Sequence, residues 1–229
     1  MPSLRYDFHI HSCLSPCGEE EMTPNNIVGM AQILELDAIA VADHNTAKNL
    51  PAVMALGAEA GVLVVPAIEI STAEEVHVLS LFPSLEAALE MDKLLYDALP
   101  PVKNRPDIFG RQLWMDKDDG LLGETDKLLI NATALSIEQV FKEVRVRGGL
   151  PIPAHIDKNA YSVLSNLGFI PPELEAGTVE VARPPFAGAE GLKVISDSDA
   201  HALEVLAQHE AHVLDVADVT IGGVLDALR

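Results

Sequence analysis

Tyr6-Asp7-Phe8-His9-Ile10-His11, inside a stretch that runs from Arg5 to Cys17, is the segment whose reading decides the fold. Successive side chains of a strand point to opposite faces, so the spacing predicts Tyr6, Phe8 and Ile10 on one face and Asp7, His9 and His11 on the other. Two adjacent imidazoles on one strand face have little value for packing, but they offer two neutral nitrogen ligands to one metal ion. One His-x-His is weak evidence alone. It gains force where further ligand types recur at the ends of later strands.

They do recur. Thr23-Pro24 has the form of an N-cap followed by proline at the first helical position, and it opens a helix to about residue 35. Residues 38–42 are an unbroken apolar run, the mark of a strand buried on both faces, and the run ends in Asp43-His44-Asn45. A helix over 50–60 stops at Gly61, and the apolar strand 62–70 carries Glu69 near its end. The next strand, 76–82, has His77 near its start, and Ser84 caps a helix to about residue 98. Ser136-x-x-Gln139 is a capping box for a helix to about residue 147, and the strand 150–155 after it ends on His155, with Lys158 just beyond. A short helix over 161–167 follows. Strands over 178–182 and 192–196 lead to Arg183 and to Asp199-Ala200-His201, and a strand over 211–216 and a helix capped by Thr220 close the chain.

Between residues 99 and 133 this order dissolves into Pro-Pro, Asn-Arg-Pro, Phe-Gly and Asp-Asp-Gly clusters, with a polar helix expected around 110–116. Structureless connections of such length are uncommon, so the segment is expected to be a lid or specificity excursion over one face, held down by burial of Ile108, Phe109, Leu113 and Trp114. Residues 1–229 otherwise read as a single domain, since 48% hydrophobic residues is ample for one continuous core. Thirty-five acidic against fifteen basic residues give a net charge of -20, which argues against nucleic acid or an anionic membrane as partner and suits divalent cations. No apolar run reaches membrane-spanning length, and a cytoplasmic protein is expected. A disulfide between the only cysteines, Cys13 and Cys17, would close a tiny ring and add little, so free thiols or a thiolate ligand are expected.

Apolar strands alternating with helices predict an α/β fold with a parallel sheet, and the repeated polar exits select a closed barrel, in which chemistry gathers at the C-terminal ends of the strands. The collected set is His9, His11, Cys17, Asp43, His44, Glu69, His77, His155, Asp199 and His201. Its mix of imidazole, carboxylate and thiol suits Zn, Mn or Fe, and it is large enough for two or three ions with Glu69 as a bridge. His209 and His212 read as solvated or capping residues, Cys13 as structural and Trp114 as a loop anchor.

His9-x-His11, Asp43-His44, Glu69 followed by His77, Ala154-His155 and Ser198-Asp199-x-His201 resemble, in order and character, the motifs of the polymerase and histidinol phosphatase (PHP) family across almost the whole chain. The resemblance implies a distorted seven-stranded TIM-like barrel, (β/α)7, with up to three metals. It would give His9, His11, Glu69 and Asp199 to one ion, His44 and His201 to a second, and His77, His155 and the shared Glu69 to a third. The family often has histidine or aspartate where this chain has Cys17, which leaves the second site with a thiolate or an open position. The implied activity is hydrolysis of a small phosphate ester, such as a nucleotide or sugar phosphate. Lys158 and Arg183 would hold the phosphate, and His201 or Asp43 would move the leaving-group proton or, for Asp43, orient a ligand histidine. A metal-dependent amidohydrolase and a non-catalytic metal-binding regulatory module are the alternatives, the first lacking a candidate bridging lysine.

Overall fold

The structure, a computed structural model, describes residues 1–229. Its first half runs β1 (Ser3–Ile10), α1 (Pro24–Ile33), β2 (Ala38–Val41), α2 (Leu50–Ala60), β3 (Leu63–Val64), β4 (Ala67–Ser71), β5 (His77–Leu81) and α3 (Leu85–Ala98), followed by α4 (Pro106–Phe109), β6 (Leu113–Met115) and β7 (Leu121–Glu124). The second half holds α5 (Ile137–Val146), β8 (Leu150–Pro153), α6 (Val163–Leu167), β9 (Thr178–Glu180), β10 (Lys193–Ile195), α7 (Leu203–Gln208), β11 (His212–Asp215) and α8 (Ile221–Leu228). Helix boundaries follow local chemistry. Thr23 and Ser84 accept from the backbone of Asn26 and Ala87, Ser136 and Gln139 form the full capping box, and Gly61 ends α2 in the left-handed region at φ 74°.

The fold is mixed α/β, but it is built from four small sheets that do not close, in place of the expected parallel barrel. One sheet has the order β11-β1-β2-β3, with β1, β2 and β3 parallel and β11 antiparallel to β1. A second, β4-β5-β8, is antiparallel throughout, and β9-β10 form a parallel pair. The single strand expected over 62–70 is split between two of these sheets. Pro66, which has no N–H to give a ladder, stands where the chain leaves β3 beside β2 and enters β4 beside β5.

Main-chain bonds stitch neighbouring sheets together at one end: His11 N donates to Ala200 O at 2.9 Å, Asn45 N to Glu69 O at 2.8 Å, and Ile156 N to Glu180 O at 2.9 Å. All these links lie beside candidate ligands. Because β5 runs against β4 and β8, its start lies at this same end, so His77 arrives there from the opposite strand direction to Glu69.

Two apolar clusters flank the sheets. In β2, Ala38 and Ala40 join Phe8, Leu79, Ile152 and the C-terminal helix residues Val224, Leu225 and Leu228, while Ile39 and Val41 join the larger cluster with α1, α2, α3 and α5. Small residues on one face and branched ones on the other let this strand be buried on both sides. Strict alternation fails in β1. Tyr6 and Phe8 belong to the first cluster but Ile10 to the second, because the β1–β2 register shifts between Asp7 and Ile10, the stretch that holds His9.

The 99–133 segment is ordered, but not as expected. Residues 113–115 form a strand of the β6–β7 hairpin and not a polar helix, with the turn made by Asp116 Oδ1 accepting from the backbone of Asp118 and Gly120 at 2.9 and 2.7 Å. Its anchors are Leu113, 3% exposed, and the buried amides of Asn49 and Gln112, each bonded to its backbone. Ile108, Phe109 and Trp114 are exposed at 57%, 41% and 37%, so burial of these three does not hold the segment down. No helix is long and apolar enough to cross a membrane.

Candidate metal centre

One end of every contributing strand delivers side chains to one place. His9 and His11 come from the end of β1, His44 from after β2, Glu69 from β4, His77 from β5, His155 from after β8, and Asp199 and His201 from after β10. Glu69, 1% exposed, is the hub. Its Oε1 lies 3.3 Å from His9 Nε2, 2.8 Å from His77 Nδ1 and 3.2 Å from His155 Nε2, and its Oε2 lies 3.4 Å from His11 Nε2 and 3.0 Å from His44 Nδ1. Burial alone would raise its pKa, but His77, His9 and His44 hold it well below the usual carboxylate range. Asp199 Oδ1 adds contacts to His11 Nε2 at 3.1 Å and His9 Nε2 at 3.6 Å.

Hydrogen bonds behind the rings decide which nitrogens face the centre. His9 Nδ1 meets Glu180 at 2.9 Å, an acceptor only, so Nδ1 carries the proton and Nε2 presents its lone pair. Ser15 Oγ gives its single proton to Asp43 at 2.7 Å and therefore accepts from His11 Nδ1 at 2.9 Å. His201 Nδ1 donates to the Asp199 carbonyl at 2.8 Å. In the neutral rings three Nε2 lone pairs thus point inward, and the Nε2 atoms of His9 and His11 sit only 3.3 Å apart.

Two converging lone pairs repel unless a proton or a metal ion lies between them. His44 Nδ1 and Glu69 Oε2, although close, also lack hydrogen-bond geometry and have no other partner, and His155 Nδ1 is unpartnered as well. Three groups bring ligand atoms within 4.8 Å of one another: His9, His11 and Asp199; His11, His44 and His201; His44, Glu69 and His77. The donor set fits divalent metal ions.

The protonation pattern shows the same tension. Burial opposes the cationic form of His9, His44, His11 and His77, yet Glu180 and Glu69 push His9 well up and Glu69 takes His44 to about 10, while burial and the neighbouring imidazoles hold His11 and His77 down. Cys17 stands at the rim beside His201 and His44. Burial raises its thiol, but hydrogen bonds to those two imidazoles lower it further, to about 7.

A cavity of about 480 Å3 opens over Glu69, with Lys158 and Arg183 in its wall. The Lys158 ammonium pairs with Asp199, and that carboxylate outweighs burial in raising its pKa, whereas Arg183 is exposed and forms no ion pair. Asp43 is not in this cavity. Its oxygens are taken by Ser12 N, Ser12 Oγ and Ser15 Oγ at 2.8, 2.6 and 2.7 Å, so it reaches His11 only through Ser15. Cys13 is buried and free, Cys17 is free, and His209 and His212 form a separate pair.

Two groups lay outside the sequence reading. Glu180 accepts from both His9 Nδ1 and His155 N, the latter at 2.8 Å, and its signal was a carboxylate inside the apolar run Val179-Glu180-Val181. Tyr161 stacks on His77 with centroids 4.9 Å apart and planes at 14°. His155, Asp199 and Tyr161 all have left-handed backbone, at φ 31°, 49° and 55°. Such conformations disfavour residues with a Cβ and persist where surrounding bonds over-determine them, commonly at functional sites.

No family profile and no curated protein matches the sequence. Solved structures do. Endonuclease Q from Pyrococcus furiosus superposes with a TM-score of 0.73 at 17% identity over 99% of this chain, which spans 56% of that chain's length. A two-domain protein from Bacteroides vulgatus, described as containing a predicted PHP-like metal-dependent phosphoesterase, matches with a TM-score of 0.60 at 18% identity over 99% of this chain and 62% of that one. The fold is that of the PHP-like phosphoesterases. An amidohydrolase from Chromobacterium violaceum shares it as well, with a TM-score of 0.59 at 18% identity over 97% of this chain and 96% of that one.

One expectation is overturned here. Endonuclease Q is also solved with a 27-mer duplex carrying an abasic lesion at its active site, a structure this chain matches with a TM-score of 0.68 at 16% identity over 99% of its length and 56% of the other's. A net charge of -20 therefore does not exclude nucleic acid. Net charge sums the whole surface and counts acids buried in the centre, whereas a substrate meets the mouth, where Lys158 and Arg183 lie.

Proposed function

We propose that the protein is a metal-dependent hydrolase of phosphate esters, with its centre formed by His9, His11, His44, Glu69, His77, His155, Asp199 and His201, and Cys17 at the edge. The observation that carries this reading is the convergence of five imidazoles on the two oxygens of Glu69, beneath a cavity walled by Lys158 and Arg183. Two or three divalent ions (Zn, Mn or Fe) suit the three overlapping donor groups. When bound, such ions neutralise phosphoryl charge and acidify a water molecule near neutral pH.

The chain supplies the rest. Arg183, free of acidic partners, is placed to grip non-bridging oxygens in a bidentate manner, and Lys158 can swing from Asp199 to the same group. His201, at the cavity wall with Nδ1 donating to a carbonyl, has only Nε2 free, and that nitrogen serves the centre as a ligand. Asp43 serves by positioning Ser15 and through it His11. Esters of nucleic acid belong to the substrate range this reading admits.

Metal analysis of the purified protein with hydrolysis of an aryl phosphate and of an N-acyl amide tests it. Bound metal with phosphatase activity is the expected result. Bound metal with only amide hydrolysis assigns the protein to amidohydrolase chemistry, and bound metal with neither activity to a binding module.

A further inference from the structure

A second recess, of about 250 Å3, lies beside the cavity over the metal centre, and His77, Ile130 and Tyr161 form the wall the two share. Their linings differ in kind. The main cavity holds both cations, Lys158 and Arg183, whereas no lysine or arginine lines the recess, which instead has apolar Leu128 and Ile130, exposed aromatic rings and the carboxylate of Glu75. A phosphate is repelled there, and an uncharged flat group is not.

The rings are poised for such a group. Tyr161 has one face on His77 and remains 52% exposed, fixed by left-handed backbone and by a 2.8 Å bond from His77 N to its carbonyl. Phe109, 41% exposed, is brought to the same recess by α4 of the 99–133 excursion. Aromatic faces beside apolar side chains are the lining of a site that stacks a ring.

We propose that this recess receives the planar ring of the substrate, a nucleobase or an aryl group, while its phosphate lies over the metal centre. The assignment rests on the phosphoesterase reading for the phosphate end only. It makes the excursion a specificity element, through Phe109 and Ile130, and gives Tyr161 the role of a divider between the charged and apolar halves of the site.

Equilibrium binding of AMP, phenyl phosphate and ribose 5-phosphate to the metal-loaded protein tests the proposal without requiring turnover. At least one ring-bearing ester is expected to bind about tenfold more tightly than ribose 5-phosphate, the scale of one ring stacked on an aromatic side chain. Phe109→Ala, at an exposed position, is expected to remove most of that ratio with the melting temperature unchanged, and Tyr161→Ala to do the same. Equal affinities for all three ligands, or a ratio that survives both substitutions, overturns the proposal. Competition by a single-stranded oligonucleotide would show that a strand-borne base enters the recess, and its absence would assign the recess to free nucleotides or aryl esters; both support ring binding. A retained ratio without hydrolysis of any ester ends the phosphoesterase reading alone, and hydrolysis without a ratio ends the recess assignment alone.

Discussion

Replacing Glu180 by Gln isolates the part of the metal centre that touches no metal. The carboxylate accepts His9 Nδ1 on Oε1 at 2.9 Å and His155 N on Oε2 at 2.8 Å, and both donors are buried. An amide has the same shape but one acceptor fewer, so one donor faces an NH2 group. If His155 N keeps the oxygen, His9 Nδ1 faces the NH2 group and retains only a 3.1 Å contact to that oxygen, which favours the tautomer with its proton on Nε2 and removes a lone pair from the centre. If His9 keeps it, the left-handed backbone at His155 loses its restraint. Either way an unmet buried donor costs about 1–3 kcal/mol. Disturbing a carboxylate that orients a ligand imidazole is expected to weaken metal binding by about 10–100-fold, or roughly 1.4–2.7 kcal/mol. A chain of this size shifts its melting temperature by about 2–4 °C per kcal/mol. At a metal concentration about 100-fold above Kd, binding stabilises the wild type by about 2.7 kcal/mol, roughly 5–11 °C on the same scale, and Glu180→Gln should lose at least half of that increment. Scanning calorimetry with and without metal, with a chelator competition for affinity, reads both quantities. A variant that melts like wild type and competes equally well for metal would refute the orienting role of Glu180.

Glu69→Gln should reduce hydrolysis by at least about 100-fold, with metal content falling alongside, because one amide cannot face five imidazoles as a carboxylate does; full metal occupancy in this variant would contradict Glu69 as the hub. Cys17, with its thiol near 7, should be alkylated in the folded protein at a rate that rises from pH 6 to 8, whereas Cys13, pushed by burial to about 12, should react only on unfolding. Protection of Cys17 by added metal, read by mass spectrometry, would support it as a ligand, and unchanged labelling would place it outside the centre. Burial, reinforced by Asp197, raises the Tyr6 hydroxyl. Its contribution to stability is therefore complete below the unfolded value of about 10 and declines as pH rises above it; denaturant titrations from pH 9 to 11 should show that decline and Tyr6→Phe should flatten it. Phe8→Ala, at a fully buried position of the β1 core, should cost about 3–5 kcal/mol by denaturant unfolding.

Most helices were legible because their signals are local. The caps at Thr23, Ser84 and Ser136 and the stop at Gly61 depend on neighbours a few residues away, and α2 and α3 fall where the pattern places them. Short α7 carried no side-chain cap and was not foreseen. Strand pairing was less legible, since an apolar run reads alike in parallel and antiparallel surroundings. The antiparallel β4-β5-β8 sheet and the change of sheet at Pro66 depend on partners far along the chain. Among the site residues, histidines stood out because imidazole has little use in a core. Glu180 was hidden because the strand was read as ending at Arg183, and Asp43, read either as a proton carrier or as the support of a ligand histidine, is bonded to Ser12 and Ser15 behind His11.

Leu4 pairs with Leu214 across β1 and β11, and His11 is tied to Ala200, so segments far apart along the sequence must meet before the imidazoles can share Glu69. Loop closures of that span are slow to search and come with a high contact order. A fragment that lacks β10 and the residues after it, however well its helices form, therefore owns ligands without owning a centre.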